Sequence, residues 1–424
     1  MIGDISNMKY IKYVIVTLSI LGGILLFKVT YKSVNLNSRI DYKVIVNGVE
    51  QASFPSKGVY TVETVCAFND SSWDYDNWKL VIKGTSSQST DSCYVSFTST
   101  TYTNLNTFLF SKVPNANDTV TTAPDSQATT GILKNEGTYG IRYEGPNPNN
   151  YVLFNNELWR IIGVFDTYTS VSDWNNKTNA VKRVKLIRDE SIGSFAFDRD
   201  TYRSTTTNGN AWSYGGRLSN IAQILNGPYL NHRNGTNEQD TRSSSYYMCM
   251  FYDINSVRTA CDFSKGGIQG GYDDMIESVV WHLRGYTSAT NTQSMYNYER
   301  TGSVYSSADT EWVGKVGLMY PSDYGYSALV DNCSRTGVQL SSYDSTSYQC
   351  ANTSWILKYG NEWAISPNSY NASSVWYLST YCYVSSSSPS NGYAVRPSIY
   401  LSSNIYYISG EGSKSNPYII GYSG

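Results

Sequence analysis

The chain has 424 residues, 39 of them Tyr, with 16% charged side chains and a formal net charge of −2. At roughly 100–200 residues per domain, that length fits two folded units better than one. The charge balance excludes a nucleic-acid binder, which carries a basic patch or stripe; Lys182, Arg183, Lys185 and Arg188 are interleaved with apolar residues as in a strand.

From Tyr13 to Phe27 fifteen residues carry no charge, flanked by Lys9 and Lys12 before and Lys28 and Lys32 after. A membrane span needs about 20 apolar residues. Tyr10, Ile11, Val29 and Tyr31 extend the run, and Lys12 and Lys28 can snorkel. No small-x-small cleavage site follows. The expectation is an uncleaved signal anchor within 1–35, one transmembrane helix meeting the membrane through residues 10–31. Charge is nearly equal on the two sides, so the positive-inside rule does not orient it.

The cysteines do. Six of the seven fall into sequence-near pairs, Cys66/Cys93, Cys249/Cys261 and Cys333/Cys350, and Cys382 is left over. No Cys-x-x-Cys occurs and only two His exist, so no metal site or other cofactor is expected. Disulfides are the better reading, and they place the bulk of the chain outside the cytosol.

Residues 36–113 read as a small β-sandwich. Asn47-Gly48 is a hairpin signal, and Tyr60/Val62/Thr64/Cys66, Trp78/Leu80/Ile82 and Cys93/Val95/Phe97 each mark one face of a strand. Trp73-Asp-Tyr-Asp-Asn-Trp78 reads as a turn, because it lacks the spacing and Gly of a calcium loop. Residues 114–135 have a linker composition. In the second unit, 136–424, Leu158–Phe165 and Val184–Ile187 fit strands covered on both faces. Leu218, Ile221, Ala222 and Leu225 predict a helix ending at Asn226-Gly227-Pro228. Ile276, Val279, Val280 and Leu283 predict a second, with Asp274 and Glu277 as a capping-box variant and His282 inside it. Trp312–Tyr326 reads as a strand running into a turn, and 410–418 as part of a terminal hairpin.

No catalytic group stands out. Neither His has a Ser or Cys in a nucleophile context. The Gly266–Gly271 run lacks the Lys-Ser/Thr of a phosphate loop. Asp273, Asp274 and Glu277 are the densest carboxylates, and a helix start explains them. Between Trp363 and Leu401 a framework encloses Tyr, Ser and Asn, the residues that build adaptable binding faces. Tyr370, Asn371, Trp376, Tyr377, Tyr381, Tyr383 and Asn391 are the candidate ligand-binding residues.

Two helices between early and late strands, cystine loops and a polar insert before a closing strand resemble the C-type-lectin-like fold. Leu158-Trp-Arg-Ile-Ile-Gly163, Trp212, Leu225-Asn226, Lys315–Met319, Trp363–Pro367 and Gly392-Tyr-Ala-Val-Arg-Pro397 resemble an uncharacterised extracellular domain family of Gram-positive gut bacteria. The resemblance covers about 136–424 and implies ligand binding more than catalysis. The calcium-dependent Glu-Pro-Asn or Gln-Pro-Asp motif is missing, with Ser366-Pro367-Asn368 nearest to it. Formylglycine-generating relatives carry two close cysteines, whereas Cys249 and Cys261 lie twelve apart. The expectation is an α+β chain: an anchor, a β-sandwich and a C-type-lectin-like head that binds an extracellular glycan or protein and is not an enzyme. Two rivals are a structural surface scaffold or pilus-like subunit, and a glycan-acting hydrolase using a carboxylate pair.

Overall fold

The computed structural model describes residues 11–21, 24–34, 39–55, 60–75, 77–83, 90–99, 102–113, 131–198, 209–240, 243–249, 261–329, 333–344, 350–358 and 360–423. The chain is α+β, rich in sheet with few helices, and divides into two compact units, Met1–Tyr102 and Thr103–Tyr422.

In the first unit, β1 (Ile11–Leu21) and β2 (Ile24–Val34) pair antiparallel, from Ile11↔Val34 to Leu21↔Ile24. The uncharged run Tyr13–Phe27, read as the anchor, falls within this antiparallel pair. Among the described residues no helix is long and apolar enough to cross a membrane. Next come β3 (Arg39–Val46), β4 (Val49–Gln51), β5 (Tyr60–Cys66), β6 (Asp70–Asp74), β7 (Lys79–Lys83) and β8 (Thr90–Ser99). Asn47 and Gly48 both take positive φ, as a tight β3–β4 turn requires. The sheet order is β4-β3-β8-β5, with β3 and β8 parallel, and β6–β7 form a separate hairpin. Val44, Trp73, Val95 and Phe97 are its buried core, Trp73 meeting Phe97 edge-on at 4.9 Å. Cys66 lies opposite Cys93 in the β5–β8 register and is bonded to it.

Helix α1 (Leu105–Ser111), inside the expected sandwich range, belongs to the second unit: Phe108 stacks on Tyr407 at 3.7 Å. Linker residues 114–130 lie outside the described residues, and the linker's predicted end, 132–135, is a strand. The second unit then runs β9 (Ile132–Asn135), β10 (Ile141–Glu144), β11 (Tyr151–Phe154), β12 (Glu157–Thr167), α2 (Val171–Asn176), β13 (Val181–Arg188) and β14 (Ser194–Ala196). It continues through β15 (Ser213–Tyr214), β16 (Arg217–Leu218), α3 (Asn220–Ile224), β17 (Gln239–Asp240), β18 (Ser243–Tyr247), β19 (Val279–His282) and α4 (Thr292–Thr301). After β20 (Glu311–Gly314), β21 (Val316–Gly317) and α5 (Pro321–Ser327) come β22 (Glu362–Pro367), β23 (Val375–Leu378), β24 (Val384–Ser387) and β25 (Gly392–Ala394). The last are β26 (Ser398–Tyr400), β27 (Ile405–Ser409) and β28 (Tyr418–Tyr422), the terminal hairpin that the sequence predicts.

The main sheet is ordered β21-β26-β13-β12-β11-β28-β27, with β10 paired to β12 and β9 to β10. β12 and β13 are buried nearly throughout, as expected for strands covered on both faces. A second sheet is ordered β14-β25-β22-β23-β24. The Cys249–Cys261 and Cys333–Cys350 bonds form as expected, and Cys382 is a free thiol.

The structure corrects three sequence expectations in this unit. The helix at 218–225 forms, capped by Ser219, but does not stop at Asn226-Gly227-Pro228; it widens into a π-turn over Leu225–Tyr229. A π-turn accommodates Pro228, which has no N–H to donate. The predicted helix over Ile276–Leu283 is instead a short 3-10 turn at Asp273–Met275 followed by β19, whose four residues are all buried. Apolar residues on both faces of a covered strand imitate helical spacing; the β-branched and aromatic content of Val279-Val280-Trp281 favours the strand. The turn predicted before Tyr326 is α5, with Pro321 at its first position and Asp323 Oδ2 accepting from the Tyr320 N–H at 2.9 Å.

The residues that carry the family resemblance are scaffold. Trp159, Trp212 and Trp363 are all core. Arg160 donates to Asn150 Oδ1 at 2.8 Å and lies over the Tyr151 and Trp355 rings, while Arg396 is buried against Glu362 at 2.8 Å. At Gly163, a Cβ would stand 2.0 Å from the Ile141 carbonyl oxygen, so only glycine lets β10 approach β12.

Candidate functional site

The Tyr/Ser/Asn segment folds into β23 and β24, at one edge of the second sheet, and β25, which lies across β22 from them. The registers Trp363↔Tyr377 and Tyr377↔Ser385 place these three on one face, and Tyr393 packs there too, 4.5 Å from Trp363 and 4.8 Å from Tyr377. Trp363 is the floor; Tyr377 and Tyr393 are half-buried above it. Asn391 Nδ2 donates to Ser387 Oγ at 2.8 Å, and that hydroxyl lies 2.9 Å from Tyr393 OH. Beyond this face Tyr381 stacks on Tyr383 at 6.4 Å with planes 10° apart.

Of the seven candidates, Tyr370 (79% exposed), Tyr381 (69%), Asn371 and Asn391 stand in solvent, and Tyr377 and Tyr383 are half-buried. Trp376 is corrected to a core residue, 3% exposed. Strand alternation turns it to the face opposite Tyr377. Tyr370 and Asn371 sit on a separate turn pinned by Asn210, whose Nδ2 donates to the carbonyls of Asn368 at 2.7 Å and Asn371 at 2.9 Å. Tyr393 and Ser387 were not among the candidates; alternation in Gly392-Tyr-Ala and Ser385-Ser-Ser is the signal that marks them.

A second site is absent from the sequence reading. A cleft of about 630 Å³ opens between the end of β12, α2, β19, α4 and β26. Its ionisable lining groups are Asp166, Lys177, Lys182, His282, Arg300 and the phenols Tyr168, Tyr296 and Tyr400. Asp166, the one carboxylate in that lining, is paired with Lys182 at 2.8 Å, which leaves Lys177 and Arg300 as cations. Arg300 lies 3.3 Å from the Tyr296 ring centroid, and Nη1 donates to Tyr296 O at 2.9 Å and Glu299 Oε2 at 3.2 Å. The Trp174 ring is 4.1 Å from His282 on β19 and 2.8 Å from Lys177 Nζ.

Beneath this lining is a buried charge network. Asp323 accepts from Arg142 at 2.8 Å and from Lys185 at 2.6 Å, and all three are buried. Burial pushes the Asp323 carboxyl up, but Lys185 and Arg142 outweigh it and hold it at about 2. Burial lowers Lys185 to about 8 against the pull of Asp323. Burial also raises Glu299 to about 7, its oxygens bonded to the Ser322 N–H at 2.8 Å and Oγ at 2.5 Å. His282 is pushed well below the ordinary histidine range by burial and then by Arg300 and Lys177, so it is neutral at pH 7. Glu299 and Asp323 have well-separated pKa values, yet both are buried, engaged in the fold and absent from the cleft lining.

No protein family matches the chain, no curated protein matches it, and no solved structure matches it.

Proposed function

We propose that the protein is a membrane-anchored cell-surface protein that binds an extracellular glycan or protein through the Tyr/Ser/Asn face of its second unit. The observation that carries this reading is the platform itself: Tyr377 and Tyr393 side by side over Trp363, rimmed by Asn391 and Ser387, with the Tyr381–Tyr383 stack beside it. Aromatic faces with fixed hydroxyls at their edges suit sugar rings and protein grooves alike. Three disulfides support an extracytoplasmic location for both units, and the uncharged run Tyr13–Phe27 supports the anchor. The second unit is read as a C-type-lectin-like head on its motifs.

The test is a glycan and host-protein array probed with the 424-residue chain in detergent, beside a Tyr381→Ala/Tyr383→Ala variant and a Tyr377→Ala variant. Selective capture by the parent and its loss in the variants, at unchanged melting temperature, is the expected result. Capture that survives both variants moves the site elsewhere, and silence of the parent with self-assembly favours the scaffold.

A further inference from the structure

The geometry points to a second binding site, independent of the Tyr/Ser platform: the cleft over Arg300 takes a single anionic sugar residue, its acid group on Arg300 and Lys177 and its ring against the aromatic wall. Asp166 is paired with Lys182, and Glu299, which pairs with Arg300 through Nη1, lies outside the lining, so the groups that face a guest in the lining are Lys177 and the outer edge of the Arg300 fork, with no free carboxylate among them. Among the described residues, the hydrogen bonds of Arg300 leave from Nη1 alone. The rest of its planar fork matches a carboxylate or sulfate ester.

Unsatisfied groups supply a second argument. His282 lines the cleft at 8% exposure, and its buried Nδ1 has no hydrogen-bond partner in the protein. Arg142, whose guanidinium lies 4.5 Å from the Phe165 ring and 5.5 Å from that of Tyr296, likewise leaves Nη2 buried without one. Buried polar groups are usually paired, and a polar guest in the cleft would supply the partner that His282 Nδ1 lacks. A neutral imidazole offers a sugar hydroxyl a donor or an acceptor without adding charge.

Size and wall chemistry select the guest. A volume of about 630 Å³ lies within the usual range for small-ligand sites. Phe165, Tyr168 and Tyr296 give apolar ring surface, whereas Asn135, Thr138 and Thr167 give hydroxyl and amide edges on the same lining. A simple inorganic anion would leave the aromatic wall unused, and a fatty acid would bury the polar edges.

The experiment titrates the 424-residue chain in detergent with N-acetylneuraminate, glucuronate, glucose 6-sulfate and neutral glucose, reading tryptophan fluorescence and calorimetric heat. The expected result is saturable binding of at least one acidic sugar, with glucose about tenfold weaker or more. Weakening by salt is expected too. Which acid binds separates the carboxylate from the sulfate source. Lys177→Gln, on an exposed side chain, should weaken binding by about threefold to tenfold, and Arg300→Gln should abolish it. Should Arg300→Gln melt early, Arg300→Lys keeps the charge, loses the fork and should bind more weakly than the parent. Tyr381→Ala should bind like the parent. The inference is overturned if no acidic sugar saturates below about 10 mM, if glucose binds as well as the acids, or if Lys177→Gln and Arg300→Lys both bind like the parent.

Discussion

The platform and the cleft belong to the same unit and are both rich in tyrosine, yet they differ in what lies behind them. The platform rests on Trp363, whose neighbour Glu362 is already paired with Arg396, and its exposed polar atoms, such as Asn391 Nδ2 and Ser387 Oγ, bond to one another. The cleft rests on Arg142, Lys185 and Asp323, and it contains buried nitrogen with no protein partner. Aromatic composition along the chain therefore finds one kind of surface, a contact area with adaptable edges. The other kind, a preorganised charge with unmet hydrogen-bonding capacity, comes from residues far apart in sequence and is invisible to composition.

The comparison breaks first at its foundations. Asp323→Ala strands two buried cations, and breaking a buried pair this way costs about 3–5 kcal/mol. The melting temperature of the second unit should fall by roughly 10 °C. Trp376→Ala should be similarly severe, at about 3–5 kcal/mol, because a buried aromatic is lost. If instead it melts like the parent, the assignment of that side chain to the core is wrong.

Acid and base separate His282, in the cleft lining, from Glu299 behind it. Burial lifts Glu299 to about 7, so its contribution to stability is full below the ordinary carboxylate value and is lost as pH rises through about 7. His282 is depressed, so its contribution is full above the ordinary imidazole value and is lost as pH falls below it. Melting curves from pH 4.5 to 8 should show Glu299→Gln and His282→Gln changing the slope in opposite directions, each by up to about 1.4 kcal/mol per pH unit where its group titrates. Slopes of the same sign in both variants would contradict the burial argument.

The smallest effect is expected at the platform. Tyr370→Ala and Tyr381→Ala replace exposed side chains and should change stability by less than about 0.5 kcal/mol. Any effect they have should appear in ligand capture, so chemical denaturation and the array together tell contact surface from framework.

Much of the second unit is legible from strand patterns. Val184–Ile187 and Trp159–Phe165 are read correctly because both faces of these strands are apolar, and the three cystines follow from pairing near neighbours. Helix α4 is not legible: its buried face is Thr292, Met295 and Glu299, a helical spacing built mostly from polar residues. β19 fails for the opposite reason, since a strand covered on both sides mimics a helix. At the platform, Tyr381 and Asn391 are where composition puts them, while Trp376 differs because one strand presents alternate residues to opposite faces. The cleft joins Lys177 on the turn after α2, His282 on β19 and Arg300 on α4, and no local pattern links them.

The pairing of β11 with β28, Val152 beside Tyr418 and Leu153 beside Ile419, has a consequence for how the molecule is made. β11 pairs on one edge with β12, close in sequence, but its other edge is filled only by residues near the end of the unit. The Asn104 side chain likewise donates to the Ser403 carbonyl across almost the whole unit. During synthesis, β11 must wait with an open edge until almost the entire unit has emerged, and closing so long a loop is entropically slow. A chain that stalls before Tyr418 is thus a half-sealed sheet exposing a template for aggregation, so completion of the last hairpin acts as the seal on a newly made molecule.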